Sequence, residues 1–211
     1  MKKIPIPDRH RFPDDEKRLS WLPLLLDAYA VVDEGISAAV RKREREQAAA
    51  LACGQGCNVC CRVLKDIPVY PLELVGIYWF AIEKIAGPDR ALLKKQFLNH
   101  ARWAACPFLL HGLCSLHPLR PMACRQFNVF NKRCEEGEDP YHTRRGDVLT
   151  PIEEYVHQAF FITLPFYGVT DESNKAHVIK NNLIHTHARV LQSLPWHELA
   201  ARMDDFDFKH R

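Results

Sequence analysis

Eight cysteines stand in two groups, Cys53-x3-Cys57-x2-Cys60-Cys61 and Cys106-x7-Cys114-x9-Cys124-x9-Cys134. Thiolates are soft ligands that suit zinc, Cu(I) and iron–sulfur clusters and not magnesium or calcium. Cys57 and Cys60 have the separation at which two thiolates on a turn converge on one metal, with distant cysteines completing the coordination once the chain folds. Gly54 and Gly56 let the backbone turn tightly beside them. Adjacent side chains diverge, so Cys60 and Cys61 are expected to serve different irons or different sites. Eight thiolates suffice for two four-ligand sites, or for one site with spare thiols. Spacings this irregular suit an iron–sulfur cluster, 4Fe–4S first, better than a zinc finger built from paired knuckles; zinc is the alternative.

Crowded thiolates concentrate negative charge in a poorly solvated place, and nearby cations reduce that cost. Arg62 follows the double cysteine, Arg125 follows Cys124 and Arg133 precedes Cys134, while Arg120 lies between Cys114 and Cys124. Arg62, Arg120 and Arg125 are therefore the candidate cofactor-supporting cations. Of the eleven His, His111, His117 and His142 lie inside or just beyond the cysteine region and are candidates for ligation or proton transfer. His185 and His187 are two apart, which on a helix points them to different faces and makes a shared metal site poor. Trp79, Phe80, Trp103, Phe108, Phe127 and Phe130 are expected to form an apolar shell around the thiols.

The order and local context of these residues resemble the YkgJ-type cysteine-cluster family, a zinc- or iron-chelating CxxCxxCC domain. Cys106-Pro107-Phe108-Leu109, then Cys114-Ser115-Leu116-His117-Pro118-Leu119-Arg120-Pro121-Met122-Ala123-Cys124-Arg125-Gln126-Phe127, and finally Arg133-Cys134-Glu135 carry the likeness, together with the first cysteine group. It covers Cys53 to Cys134 and leaves the flanking helices outside. Members usually have an aromatic residue at the position of His117 and often two residues in place of Gly54-Gln55-Gly56. The resemblance implies zinc or iron binding, and a flagellin N-methylase label on some relatives points towards methyl transfer.

Three chemistries follow. An iron–sulfur centre would act in redox or as an open site; Cys53-x3-Cys57-x2-Cys60 has the spacing of a radical S-adenosylmethionine cluster, but the strand–helix alternation of those barrels is missing from this chain. A zinc ion would act as a staple, holding the Cys106–Cys134 region for a protein partner without catalysis. A redox pair at Cys60-Cys61 is the least suited, because adjacent thiols make a strained pair. The partner is an unidentified protein or small molecule. There is no phosphate-binding glycine loop, nucleophile elbow or HExxH, which removes the common NTPase, hydrolase and zinc-protease readings.

Helices must position these thiols. Leu22, Leu25, Leu26, Tyr29, Val32, Ile36 and Val40 recur at helical spacing, ending in the charged run Arg41–Glu46, whose mixed signs suit a solvated face. Val63 to Tyr70 reads as extended, Pro71 opens an apolar helix to about Ile85, and Gly87-Pro88 stops it. A further helix, with Leu93, Phe97, Ala101 and Ala104 on its buried stripe, delivers the chain to Cys106. Thr150-Pro151-Ile152-Glu153 reads as a capping box opening a helix that Pro165 ends. Ala176, Ile179, Leu183, Val190 and Leu191 suggest one more long helix.

The expected fold is all-α: helices packed around a cysteine-rich metal site, an irregular central segment and at most short β. Residues 1–12 form an extended arm, 13–202 one helical metal-binding domain with its cysteine cluster at 53–134, and 203–211 a tail whose Asp204 to Asp207 are solvated. A length of 211 residues with 47% hydrophobic and 26% charged residues suits one core, and a net charge of +3 from interspersed residues makes no electrostatic case for nucleic acid. No run reaches the ~18 apolar residues of a membrane span, and no apolar stretch follows Lys2-Lys3 as a secretory signal would require, so a cytoplasmic location is expected. That compartment is reducing and disfavours four structural disulfides.

Overall fold

A computed structural model of the chain describes residues 4–101 and 104–209. The described chain is mostly helical, with two small two-stranded sheets. No helix among the described residues is long and apolar enough to cross a membrane.

After the short helix α1 (Pro13–Arg18), the central element is α2 (Leu22–Gln47), whose stripe Leu22, Leu25, Leu26, Tyr29 and Val32 is buried as its spacing requires. It ends at Ala48 in the left-handed conformation, φ 50°. The arm before α1 is fastened by Arg9, which pairs with Glu16 at 2.8 Å and Asp27 at 2.5 Å. Against α2 lies α8 (Glu153–Thr163). The two helices approach so closely at Gly35 that a Cβ there would stand 2.5 Å from the Tyr155 Cβ. The helix over this region is present, but Thr150 does not cap it. Its N-cap is Ile152, with no side-chain bond, so Pro151 lies before the helix and the capping-box reading is corrected.

A second layer consists of α4 (Pro71–Glu83), α5 (Gly87–Leu98) and α10 (Trp196–Lys209). Arg90 ties the three together: its guanidinium donates to the carbonyls of Ala81, Ile82 and Ile85 at the end of α4, and to Met203 O and Asp207 of α10. The α4 helix ends free carbonyls at its last turn, and this side chain satisfies them. The expected continuation of α5 to Ala104 is not formed. The helix stops at Leu98, Ala101 and Ala104 are non-helical, and Trp103 lies outside the described residues.

The long final helix expected from Ala176 to Leu191 is broken into pieces: α9 (Glu172–Lys180), a 3-10 turn (Leu183–His187), a strand and a second turn. Asn182, at φ 54°, stops the helix where asparagine is tolerated in the left-handed region. The segment 203–209, expected as a solvated tail, is instead the last part of α10. Met203 is buried, and Asp204 and Asp207 pair with Lys94.

Strand β1 (Pro68–Val69) pairs antiparallel with β4 (Arg189–Val190), and β2 (Leu109–Leu110) with β3 (Leu113–Cys114). The latter hairpin turns through His111 and Gly112, both at positive φ, as a two-residue loop matched to strand twist requires. One apolar cluster joins α2, α4 and α8. Another, centred on Ile77, Phe97, Phe108 and Trp196, packs against Cys61, Cys114 and Cys124 and contains Cys106.

Candidate functional site

Separate pieces of backbone carry the thiols, and Cys61, Cys106, Cys114 and Cys124 pack with the apolar cluster of the second layer. Cys53 and Cys57 flank a turn closed by the Cys57 N–H on Gly54 O at 3.1 Å, with Gly56 at φ 79° supplying a conformation that a side chain would disfavour. Cys60 and Cys61 lie on the single-turn helix α3 (Val59–Val63). Cys106 donates its N–H to Cys61 O at 2.7 Å, and Cys114 ends the hairpin opposite Leu109. Cys124 sits mid-way in α6 (Met122–Gln126), the short helix after the Pro118 turn. Asn58, preceding α3, donates to Gly112 O at 2.7 Å and so ties the first group to the hairpin.

The last cysteine is brought in by an extended crossing. Ala52 N–H donates to Val129 O and Asn131 N–H to Ala50 O, while Val129 N–H reaches the Cys53 Sγ at 3.3 Å. Cys134 follows this crossing, and the Arg144 guanidinium stands 3.7 Å from its sulfur. Arg144 also pairs with Glu138 at 2.7 Å and Asp147 at 3.0 Å, and holds the Glu138 carboxyl down at about 2. Nothing in the spacing of the sequence marks this arginine, which follows the last cysteine by ten residues.

All eight cysteines are free thiols. The Cys60 and Cys61 thiols interact with one another, and Cys61 interacts with Cys106. Beyond these contacts the thiols interact in two sets. Cys53 and Cys134 lie within electrostatic range of Cys57 and Cys60. Cys114 and Cys124 lie within range of Cys60, and Cys61 and Cys124 feel Cys114. Cys60 belongs to both sets.

Ionisation is disfavoured at Cys53, Cys60, Cys61, Cys114, Cys124 and Cys134. Burial pushes Cys53 up to about 11, and it raises Cys114, Cys124 and Cys134 as well. The bond to Cys106 first, opposed by Cys60 and aided by burial, lifts Cys61 to about 12; the bond to Cys61 raises Cys60 further still. Crowded thiolates repel each other and lack water, so a cation among them would reverse both effects. Among the described residues no group of three or more His, Cys, Asp or Glu side chains converges closely enough to hold a metal ion. As a donor set, the eight thiols are chemically suited to a soft metal or an iron–sulfur cluster.

The arginines divide. Arg120 and Arg125 act electrostatically on Cys114. Arg125 is buried, with Asp33 at 2.5 Å, the carbonyls of Arg120 and Pro118 at 2.8 and 2.7 Å, and the Tyr29 ring 4.1 Å from its carbon. Arg62 is turned to Asn58 Oδ1, and Arg133 lies towards Gly54. Of the histidines, His111 is a turn residue facing Asp89, His142 faces Asp139, and His117 opens on a surface cleft with Arg120. His185 bonds the Tyr70 hydroxyl at 2.6 Å. Phe108 packs in the cluster that holds the inner thiols, whereas Trp79 belongs to the α2 cluster and Phe130 to a third. Phe80 touches both of the first two clusters. Searches against family models, curated proteins and solved structures return no match to this chain.

Proposed function

We propose that the chain is a metal-binding cysteine-cluster protein of the YkgJ-type family, carrying an iron–sulfur cluster, 4Fe–4S first, with a redox or open-site role. The observation that supports it is that thiols from segments up to 81 positions apart, Cys53 and Cys134, lie within electrostatic range of one another, in surroundings whose burial disfavours both thiolates. Cys53, Cys57, Cys60 and Cys134 would hold one centre, and Cys61, Cys106, Cys114 and Cys124 another or the rest of the same one. Such a cluster supplies one-electron transfer, or a coordination position for a small ligand where an iron lacks a protein thiolate. Arg144 beside Cys134, and Arg120 and Arg125 beside Cys114, offset the negative charge that ligation leaves on the sulfurs. Phe108 and Trp196, 4.8 Å apart, keep water from the Cys106 side.

A zinc staple is the second reading, supported by the scarcity of regular structure between Cys106 and Cys134: two short strands, a 3-10 turn and one five-residue helix. The deciding experiment is iron, zinc and acid-labile sulfide per chain on anaerobically purified protein, with a visible spectrum before and after reduction. Iron with matching sulfide and a band that bleaches is expected. Zinc without sulfide overturns the cluster in favour of the staple, and neither metal overturns both.

A further inference from the structure

On the face of α2 beside the thiols, a cleft of about 450 Å³ is lined by His10, Asp33, Ser37, His117, Arg120 and Asn128. It continues into a smaller cavity of about 240 Å³ bounded by Pro7, Asp8 and Arg9 of the N-terminal arm. The wall that the arm contributes is fixed, because Arg9 is pinned to Glu16 and Asp27 on α1 and α2. The opposite wall is the His117–Asn128 segment, which joins Cys114 to Cys124. A volume of this order, walled by rigid backbone and carrying a few convergent polar groups, has the size and make-up of a small-molecule site.

The charges of the cleft do not balance among themselves. Asp33 is already matched by Arg125 at 2.5 Å, and Arg125 also donates to the carbonyls of Pro118 and Arg120. Arg120 has no such match. Its Nε is buried without a hydrogen-bond partner, and no carboxylate or carbonyl among the described residues accepts from its guanidinium. A planar cation with unused donors, at the edge of a cleft that also offers the His117 ring and the Ser37 hydroxyl, is the arrangement that receives an oxyanion in paired hydrogen bonds.

We propose that this cleft is the binding site of a small-molecule oxyanion, a carboxylate or phosphate group, held by Arg120 with His117 and Ser37 beside it. The ligand would lie against the backbone that carries Cys114 and Cys124, so its binding is felt at the thiols through Arg120, which already acts on Cys114. The site stands on the cleft and the unmatched guanidinium, and does not depend on which metal the thiols take.

The test titrates the full chain with inorganic phosphate and, separately, with succinate, following heat of binding and the ring signals of His117 by NMR. Saturable binding of at least one probe at millimolar concentration, with the His117 ring perturbed, is expected. Preference for phosphate or for succinate identifies the oxyanion class. Arg120→Gln should weaken binding at least tenfold, Ser37→Trp should abolish it by filling the cleft from an exposed position on α2, and Arg189→Gln, which removes a distant surface cation, should leave it unchanged. The proposal fails if neither probe saturates. It fails equally if Ser37→Trp binds as the natural chain does, or if Arg189→Gln weakens binding as much as Arg120→Gln, which would reduce the effect to net charge. Retained circular dichroism of each variant separates loss of binding from loss of fold, and the metal analysis of the previous section is unaffected by either result.

Discussion

The backbone N–H of Met122 donates to the buried Glu73 Oε1 at 2.7 Å, while the other oxygen of that carboxylate accepts the N–H of Tyr70 at 2.9 Å. One side chain thus satisfies the free N–H groups at the start of α4 and of α6, and sets the position of Cys124 from a helix fifty residues earlier. Burial pushes Glu73 from 4.5 up to about 7, against the two backbone donors and Arg125 that hold it down. The folded chain therefore binds this proton more tightly than the unfolded one. Its contribution to stability is complete below the unfolded value of 4.5 and is lost as pH rises through about 7. Relative to Glu73→Gln, the natural chain should lose on the order of 3 kcal/mol across that range. Urea midpoints taken at intervals of pH read this directly, and parallel profiles for the two proteins would refute it.

Two glycines in helix interiors separate tight packing from helix propensity. At Gly35 an added Cβ meets the Tyr155 Cβ, an atom fixed to the backbone of α8; at Gly76 it meets a Leu25 methyl, which rotation can move. Gly35→Ala should cost about 1–3 kcal/mol even after the helix-propensity gain of about 1 kcal/mol. Gly76→Ala should cost less than half as much. Thermal midpoints of the two variants rank them, and the opposite order would show that α2 and α8 can part more easily than Leu25 can turn.

Arg125 holds its fork in place through two carbonyls, Asp33 and the Tyr29 ring. Arg125→Met should destabilise by about 2–4 kcal/mol, because the two carbonyls lose their donor in a buried place. Arg125→Lys should restore little of this, since a single ammonium cannot reach both carbonyls and lie over the ring. Asp33 is half exposed, so Asp33→Asn should cost less than about 1 kcal/mol. Full rescue by lysine in denaturant titrations would show that charge alone, and not the planar fork, is what the site requires.

With a metal on the thiols as proposed, chelation should lower the thermal midpoint, because ligation would tie together segments with little regular structure of their own. The thiol variants should also fall into families. Cys53→Ser, Cys57→Ser and Cys134→Ser are expected to change one metal-linked absorption or stability signal together, and Cys106→Ser, Cys114→Ser and Cys124→Ser another, with Cys60→Ser changing both. Seven variants with one common phenotype would instead indicate a single centre, and an unchanged midpoint after chelation would remove the metal from the folding of the chain.

Arg144 should matter at one end of the site only. It lies 3.7 Å from the Cys134 sulfur and reaches none of the inner thiols. Arg144→Gln should weaken metal retention by the Cys53–Cys57–Cys134 set about 10–100-fold. Competition with a chromophoric chelator measures this, and equal retention by the natural chain and the variant would assign Arg144 to the Glu138 loop alone.

What could be read from the residues depended on how local the cause was. The stripe from Leu22 to Val40 is uninterrupted, so α2 was legible, as was the helix that Pro71 opens. The final helix was not: Trp196, Leu199, Ala200 and Met203 form its buried face, but acidic residues and Phe206 and Phe208 follow in the same turns and mask the period. Asn182 breaks the preceding helix by adopting a left-handed conformation that many asparagines in helices never adopt. His111 takes the hairpin-turn position with φ 51°, a placement that its neighbours in sequence do not announce. The grouping of thiols was legible as a count and not as an arrangement, since it depends on Val129 crossing Ala52 and on the Cys106 N–H reaching Cys61 O. Arg144 enters through a fold-level contact with no sequence period at all.

The position of α10 sets an order of events during synthesis. Trp196, Leu199, Ala200 and Met203 close one side of the apolar cluster against which Cys61, Cys114 and Cys124 pack, and they follow all eight cysteines in the chain. Because translation proceeds from the N-terminus, the thiols are complete while that wall is still missing. A nascent chain therefore passes through an interval in which Cys61, Cys106, Cys114 and Cys124 are open on a side that the finished protein shuts, and the emergence of α10 ends that interval.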